Sequence, residues 1–324
     1  MKVLVKDAAL AAHWETFLAA LPPEAEAHLA TSEAEAADLI RDAEVFVGST
    51  LPQHLAARAG RLRLVHAVGA GLDGIDRSAL GEHVLAANTF HHESSIAEHI
   101  AAALVMLRRG TLHQDARLRV GQWSSPIYDA TMAQARTLRG STITFLGFGH
   151  IGQAAWQVLR AFGMRGRAIT RTGAVNAADH GLEAVAPVAA LEEHLTSSDV
   201  LVVSIPLNEA TRGSITSREL DLLGTDGLLV NVARGPIVHE GDLYAALRDR
   251  RIAGAVLDVW YRYPGPDGRG LPANEPFGAL PNVLLTPHSS GITADTFLGR
   301  LGDIAENITR LAEGRPLKNL VETT

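Results

Sequence analysis

A β-prone run at residues 141–146 leads straight into Gly147-Phe148-Gly149-His150-Ile151-Gly152, and a helix-forming stretch follows at 153–162. Strand, glycine turn and helix in that order are the context a dinucleotide-binding fold requires. The first glycine permits the tight turn and the second lets the backbone approach a pyrophosphate. The third lets the helix pack close to its strand, with the helix N-terminus facing the phosphates. A bare Gly-x-Gly-x-x-Gly is a weak signal, and its placement at a strand–helix junction is what gives it weight.

The rest of the chain fits that core. Short apolar runs alternate with Ala/Leu-rich helical stretches, the pattern of a parallel α/β fold. In the first third, strands are expected at 3–5, 44–47, 62–68 and 84–87, and helices at 9–20 and 33–40. A long helix is expected from Ile96 to Arg108, continuing to Val120, with Ser94, Ser95 and Glu98 as its capping group. Further strands are expected at 167–170, 200–205, 227–232, 253–259 and 283–286, all nearly continuous apolar runs suited to burial on both faces. Residues 265–270, beside Pro264, read as a loop insertion. A tail helix at 295–311 should return to the first domain. The reading is α/β with two doubly wound parallel-sheet domains: residues 96–284 form the dinucleotide domain, and residues 1–95 with 285–324 form the other.

With 324 residues, 47% of them hydrophobic, the chain has material for two cores without a metal or disulfide staple. Its 29 Lys and Arg against 36 Asp and Glu give −7, which argues against nucleic-acid binding but leaves room for a local positive pocket. The absence of cysteine excludes a thiol nucleophile and a thiolate metal site. No run approaches the roughly 20 apolar residues of a membrane span, and the opening residues read as a strand rather than a leader. A soluble cytoplasmic protein is expected.

Cofactor choice is read at the end of the strand after the glycine helix. An acid there would hold a ribose 2′-hydroxyl. The chain has Thr170, Arg171 and Thr172 instead. A guanidinium pairs with a 2′-phosphate that a carboxylate would repel, so NADP is expected over NAD. In the alternative reading Arg171 is a solvated loop charge and both cofactors are used.

Two other strands end in a polar residue followed by glycine: Asn231-Val232-Ala233-Arg234-Gly235 and Thr286-Pro287-His288-Ser289-Ser290-Gly291. Ligands in such sheets bind at the carboxyl ends of the strands. Together with the glycine turn, these segments resemble the D-isomer-specific 2-hydroxyacid dehydrogenase family. The likeness extends to Val68-Gly69-Ala70-Gly71-Leu72-Asp73, to Ser95-Ile96-Ala97-Glu98-His99, to Ser204-Ile205-Pro206-Leu207 with Thr211-Arg212-Gly213, and to Leu257-Asp258-Val259. It implies a Rossmann domain inserted in a flavodoxin-like substrate domain, hydride transfer between NADP (or NAD) and a small anionic 2-oxo or 2-hydroxy acid, and a homodimer. Arg234 is then the substrate arginine that pairs with the carboxylate and polarises the carbonyl. His288 is the general acid/base. Val68, Gly69, Ala70 and Gly71 hold the substrate carboxylate. His150 and Ile151 line the pyrophosphate, and Val232 and Ala233 lie beside the nicotinamide. Asp258 holds the nicotinamide's carboxamide, and Ile205, Pro206 and Thr211 complete the implied cofactor contacts.

One departure matters. The family places a Glu a few residues after the Leu-Asp-Val strand, paired with the histidine, and here Tyr263 stands in that position. Either Tyr263 orients the imidazole by a hydrogen bond, or Glu275 or Asp267 folds back to do so, or the activity is low or directed at an atypical substrate. Two further functions stay open: oxidation of a phosphite or hydroxyphosphonate anion, and nucleotide sensing without efficient catalysis. Retention of both Arg234 and His288 weighs against the sensor. The pair His91-His92 suggests a metal, but no third ligand has the spacing, so none is expected. One of the two could instead face the substrate. His66 and His194 read as structural, and Ser289 and Ser290 either as donors near the site or as a helix cap. Trp123 falls in the arm that crosses the dimer in the family, and Trp260 and Tyr261 read as packing.

Overall fold

A computed structural model describes residues 1–265 and 267–321. Pro266, inside the expected loop at 265–270, and residues 322–324 lie outside the described residues. The chain forms two compact units. One is Met1–His91 with Ile292–Thr324 and the other is His92–Gly291.

The first unit is a five-stranded parallel sheet of β1 (Lys2–Lys6), β2 (Glu26–Leu29), β3 (Val45–Gly48), β4 (Leu64–His66) and β5 (Leu85–Ala87), in the order β2-β1-β3-β4-β5. That order is flavodoxin-like. Strands β3 and β4 are buried along their whole length, as mainly apolar central strands are. The tail helix Ala294–Ala312 lays Phe297, Leu301, Ile304 and Ile308 against Val3, Val5 and Val47, so the chain end does return to this unit. It is pinned in the core by His66. The ring's Nδ1 lies 2.9 Å from the Ala67 carbonyl and its Nε2 2.9 Å from the amide of Asn307 on the tail helix. Burial pushes the His66 pKa down to about 4, so the ring stays neutral, one nitrogen donating to the carbonyl and the other accepting from the amide.

The second unit is a seven-stranded parallel sheet of β6 (Thr142–Leu146), β7 (Arg165–Thr170), β8 (Ala184–Pro187), β9 (Val200–Val203), β10 (Leu228–Asn231), β11 (Gly254–Leu257) and β12 (Val283–Leu285). Its order is β12-β11-β10-β9-β6-β7-β8, with the chain direction of winding reversing between β6 and β9. A crevice opens at the carboxyl ends of the strands at such a reversal. One apolar layer of Phe145, Trp156, Leu159 and Ile100 fills one face, and a second of Leu201, Leu229, Leu243 and Leu257 fills the other.

Several expectations are corrected. The first expected helix is two, Ala8–Ala11 and Trp14–Ala20, because the chain breaks at His13 between them. The long helix starts earlier, spans Glu93–Arg109 and has no side-chain cap at His92, so Ser94, Ser95 and Glu98 do not form a capping group. It does not continue to Val120. Gly110 adopts φ +62, a left-handed conformation that ends the helix, and a separate helix follows at Thr111–Arg119. The units divide at 91/92 and 291/292 rather than 95/96 and 284/285. The cause of the second shift is register: Leu285 pairs with Leu257, and the segment beyond it is held by Asp258, so His288 belongs with the dinucleotide sheet.

Candidate active site

The glycine turn comes first. After β6, Gly147 takes φ +94, and a Cβ there would lie 2.7 Å from the Ser204 carbonyl oxygen, so only glycine lets the turn pass the end of β9. A Cβ on Gly152 would lie 2.7 Å from the Gly147 carbonyl oxygen, which is the close helix–strand approach expected of the third glycine. At Gly149 the same position meets nothing within 4 Å. Gly149 also opens the helix His150–Leu159 without a side-chain cap. An open backbone cradle at an uncapped helix start fits a pyrophosphate. His150 is exposed at that start, 3.7 Å from the Glu93 carboxylate, and Ile151 packs on the core behind it.

The flanks of the turn carry the other expected cofactor residues. Thr170 accepts the Gly173 amide at 2.9 Å, shaping a turn that leaves Arg171 and Thr172 exposed. Beyond β9, the Thr211 hydroxyl donates to the Pro206 carbonyl at 2.7 Å and accepts the Asn208 amide at 2.8 Å. Thr211 therefore braces the loop from Ile205 and Pro206. Val232 and Ala233 are buried just past β10.

Arg234 and His288 leave the same edge of this sheet. Past β10, buried Asn231 bridges the turn: its amide donates to the Arg234 carbonyl at 3.1 Å and its carbonyl accepts the Ala233 amide at 3.1 Å. The guanidinium donates to the Ala233 carbonyl at 2.8 Å. A Cβ on Gly235 would lie 2.5 Å from the Trp260 backbone, so this turn presses on the segment after β11. The Trp260 indole N–H in turn donates to the Thr286 carbonyl at 2.8 Å. Trp260 thus ties the Arg234 turn to the His288 turn across the intervening strand, and Tyr261 packs beside Phe277 with its hydroxyl donating to Val238. Burial raises the Tyr261 phenol above its ordinary range, which keeps it neutral.

Asp258 organises the other half. Its carboxylate is fully buried and accepts four hydrogen bonds from the segment that carries His288. They come from the Thr286 hydroxyl (2.7 Å), the Ser289 amide (2.9 Å), the Ser290 amide (3.1 Å) and the Ser290 hydroxyl. The family resemblance implies a nicotinamide contact for Asp258, whereas the structure gives both oxygens to this loop. Ser290, read either as a site donor or as a cap, is a ligand of Asp258. His288 itself sits at φ +55, a left-handed conformation uncommon for residues other than glycine. Its Nδ1 lies 2.9 Å from the Tyr263 hydroxyl, with the rings tilted at 48°. Of the other two residues considered for that position, Asp267 accepts the Arg269 amide, and the Glu275 backbone amide donates to Glu240.

In the first unit, the loop of Val68, Gly69, Ala70 and Gly71 follows β4. Asn88 donates to the Ala70 carbonyl at 2.8 Å, and the Thr89 amide to Gly69. The Arg300 guanidinium lies 3.9 Å from where a Gly69 Cβ would be, a cation beside this loop that the sequence reading missed because it comes from the tail helix. Asn231 and Thr286 were missed as well, although a polar residue ending an apolar strand is a usable signal for the first. His91 pairs with Asp303 at 2.8 Å. Among the described residues, no group of three or more His, Asp and Glu side chains is placed to hold a metal ion, and no helix is long and apolar enough to cross a membrane.

These features have counterparts in known proteins. The family model for the D-isomer specific 2-hydroxyacid dehydrogenase NAD binding domain matches residues 101–290. A glyoxylate reductase from Aeropyrum pernix is 34% identical over 272 residues, covering 82% of this chain and 78% of the relative. The structure of a D-isomer specific 2-hydroxyacid dehydrogenase family protein from Aeromonas salmonicida superposes with a TM-score of 0.85 at 26% identity, covering 99% of this chain and 98% of that one. A D-isomer specific 2-hydroxyacid dehydrogenase from Xanthobacter autotrophicus, solved with NADPH and MES, does so at 0.80 and 28%, covering 99% and 98%. The glycine cradle, the sheet order and the two polar turns have their explanation in that kinship: this chain belongs to the D-isomer specific 2-hydroxyacid dehydrogenase family.

Proposed function

We propose that the chain is a cytoplasmic, homodimeric reductase of small 2-oxo acids such as glyoxylate or hydroxypyruvate, preferring NADPH, with Arg234 and His288 at its catalytic centre. The observation that carries the reading is the hydrogen bond between the Tyr263 hydroxyl and His288 Nδ1. It fixes the imidazole through Nδ1, and Nε2 is the nitrogen assigned to the substrate. Arg234 pairs its planar fork with the substrate carboxylate. The glycine turn would hold the dinucleotide by its pyrophosphate, with Val232 and Ala233 beside the nicotinamide, and the cofactor would supply the hydride for the carbonyl carbon. His288 delivers a proton from Nε2 to the carbonyl oxygen as charge develops there, while Tyr263 keeps the ring from rotating. A phenol serves in this position because its hydroxyl accepts from Nδ1–H before and after that transfer.

The test follows the oxidation of NADPH and NADH with a panel of 2-oxo acids, phosphite and hydroxyphosphonates. Steady turnover of glyoxylate or hydroxypyruvate is expected. Arg171→Ala should raise the KM for NADPH by about tenfold or more, the loss of a charge-assisted pair, and leave that for NADH unchanged. Equal effects on both would remove Arg171 from cofactor choice. Tight dinucleotide binding with no turnover of any acid would replace the enzyme reading with nucleotide sensing.

The dimer rests on the arm after Gly110. The helix Thr111–Arg119 buries none of its residues, and Trp123 and Ile127 beyond it are 63% and 84% exposed. Apolar side chains shown to solvent over so short a stretch suit a partner surface. Sedimentation velocity should give twice the chain mass at micromolar concentration, and Trp123→Ser with Ile127→Ser should shift it toward one chain. A monomeric wild type would end this part of the proposal.

A further inference from the structure

The seven-stranded sheet has a cavity at its other end. It holds about 350 Å³ and opens where β10, β11 and β12 begin, beside Leu228, Ala253 and Val283. The glycine turn, Arg234 and His288 all lie at the carboxyl ends of these strands, so the two regions occupy opposite edges of one sheet. Its polar lining is Arg108, Arg136, Arg250, His113, Asn282 and Asp226. Three guanidinium groups against one carboxylate leave an excess of positive charge in a chain whose net charge is −7.

Two of these side chains carry buried polar atoms with no hydrogen-bond partner among the described residues. They are Nε and Nη2 of Arg108 and Oδ1 of Asn282. Such atoms are rare in folded proteins and point to something the protein atoms do not supply. Arg108 ends the helix Glu93–Arg109, where an arginine ordinarily binds the last carbonyls or reaches solvent. Here two of its nitrogens do neither. Burial lowers the pKa of its guanidinium, Asp199 opposes that, Arg136 adds to it and Asp226 opposes it. Asp199 already accepts the Thr142 amide at 2.8 Å. The Asn282 amide orientation is fixed, because its nitrogen donates to the carbonyls of Leu247 and Ala253 at 3.1 and 3.2 Å. Its oxygen is therefore the acceptor end of the amide, closed to solvent. Arg250 holds φ +57, where glycine or asparagine would be the ordinary residue. Its side chain is the feature that a glycine would remove.

We propose that this cavity is a second anion site, which takes inorganic phosphate or the phosphate end of a small metabolite, separate from the catalytic centre. Arginine forks suit phosphate oxygens. Nothing in the hydride-transfer reading uses these residues, so the site adds a ligand to the enzyme rather than a detail to its chemistry.

The experiment is isothermal titration calorimetry on the full chain, with its glycine turn filled by saturating NADPH. The probes are inorganic phosphate, glycerol phosphate and malonate. Both phosphates are expected to bind in the millimolar range or tighter, and their ratio tells a free ion from an ester. Arg136→Ala combined with Arg250→Gly should weaken them by at least about tenfold, the value of one charge-assisted bond. That pair keeps the fold, since Arg136 is exposed and glycine suits the backbone at 250; thermal melting checks it. Arg234→Gln should leave phosphate binding unchanged, which separates this site from the catalytic one. No heat from either phosphate, an unchanged Kd in the double variant, or malonate bound more tightly than phosphate would overturn the assignment.

Discussion

His288→Gln should lower kcat for 2-oxo acid reduction by about 10²–10⁴-fold while leaving dinucleotide affinity close to wild type. The imidazole is the group positioned to exchange a proton, and it stands on a different strand end from the glycine cradle. Glutamine keeps a hydrogen-bonding side chain of similar reach but cannot carry the proton. Tyr263→Phe should give a smaller loss, about three- to tenfold, since it removes one hydrogen bond to Nδ1 and no reacting group. Tyr263→Glu carries the sharper test. A carboxylate at Nδ1 favours the protonated ring, and reduction needs that form. The rate in the reductive direction, which falls as pH rises and the ring loses its proton, should then hold to higher pH than in the wild type. Stopped-flow measurement of the hydride step across the pH range reads this directly. An unmoved limb in both Tyr263 variants would show that the phenol does not set the state of His288. Arg234→Gln should behave differently from all three, raising KM for the acid through loss of an ion pair. A pure kcat effect there would take the carboxylate away from Arg234.

How much of this was legible in the sequence depends on how local the cause is. Strands β3, β9, β10 and β11 declare themselves because burial on both faces leaves a nearly continuous apolar run, and β6 by its β-prone residues before the glycines. The edge strands β2 and β8 do not. Glu26–Leu29 carries two polar residues in four, and Ala184–Pro187 ends in a proline that only an edge tolerates. The glycine turn is legible because Gly147 and Gly152 each answer a clash, one with the neighbouring strand end and one within a few residues, and Gly149 leaves the cradle open. The partner of His288 was narrowed to three residues by position, but a hydrogen bond across 25 residues is a fact of tertiary structure. The placement of His288 with the dinucleotide sheet was misjudged at the boundary for the same reason: register between β11 and β12 and the hold of Asp258 on residues 286–290 are long-range. The cationic cavity left no pattern at all, since Arg108, Arg136 and Arg250 are scattered among ordinary surface arginines along the chain.

Asp258→Asn should remove most activity by releasing the histidine rather than by touching the reaction. Four donors converge on the wild-type carboxylate. The hydroxyls of Thr286 and Ser290 can rotate to accommodate an amide, but the backbone N–H groups of Ser289 and Ser290 cannot. They point at different oxygens, so whichever way the asparagine turns, one fixed N–H faces an NH₂. An unsatisfied buried donor costs about 1–3 kcal/mol, and loss of the charge weakens the remaining bonds. Urea unfolding should therefore show a drop of about 2–3 kcal/mol. The local consequence is larger, because His288 at φ +55 pays roughly 1 kcal/mol for its backbone and has that loop to hold it there. With the loop relaxed, kcat should fall toward the value of His288→Gln. The double variant Asp258→Asn/His288→Gln should then be scarcely slower than His288→Gln alone, since the second change disturbs a group already gone. Losses that multiply would mean that Asp258 acts through a separate contact, and the carboxamide of the nicotinamide, which the family resemblance assigned to it, would regain its claim on this side chain.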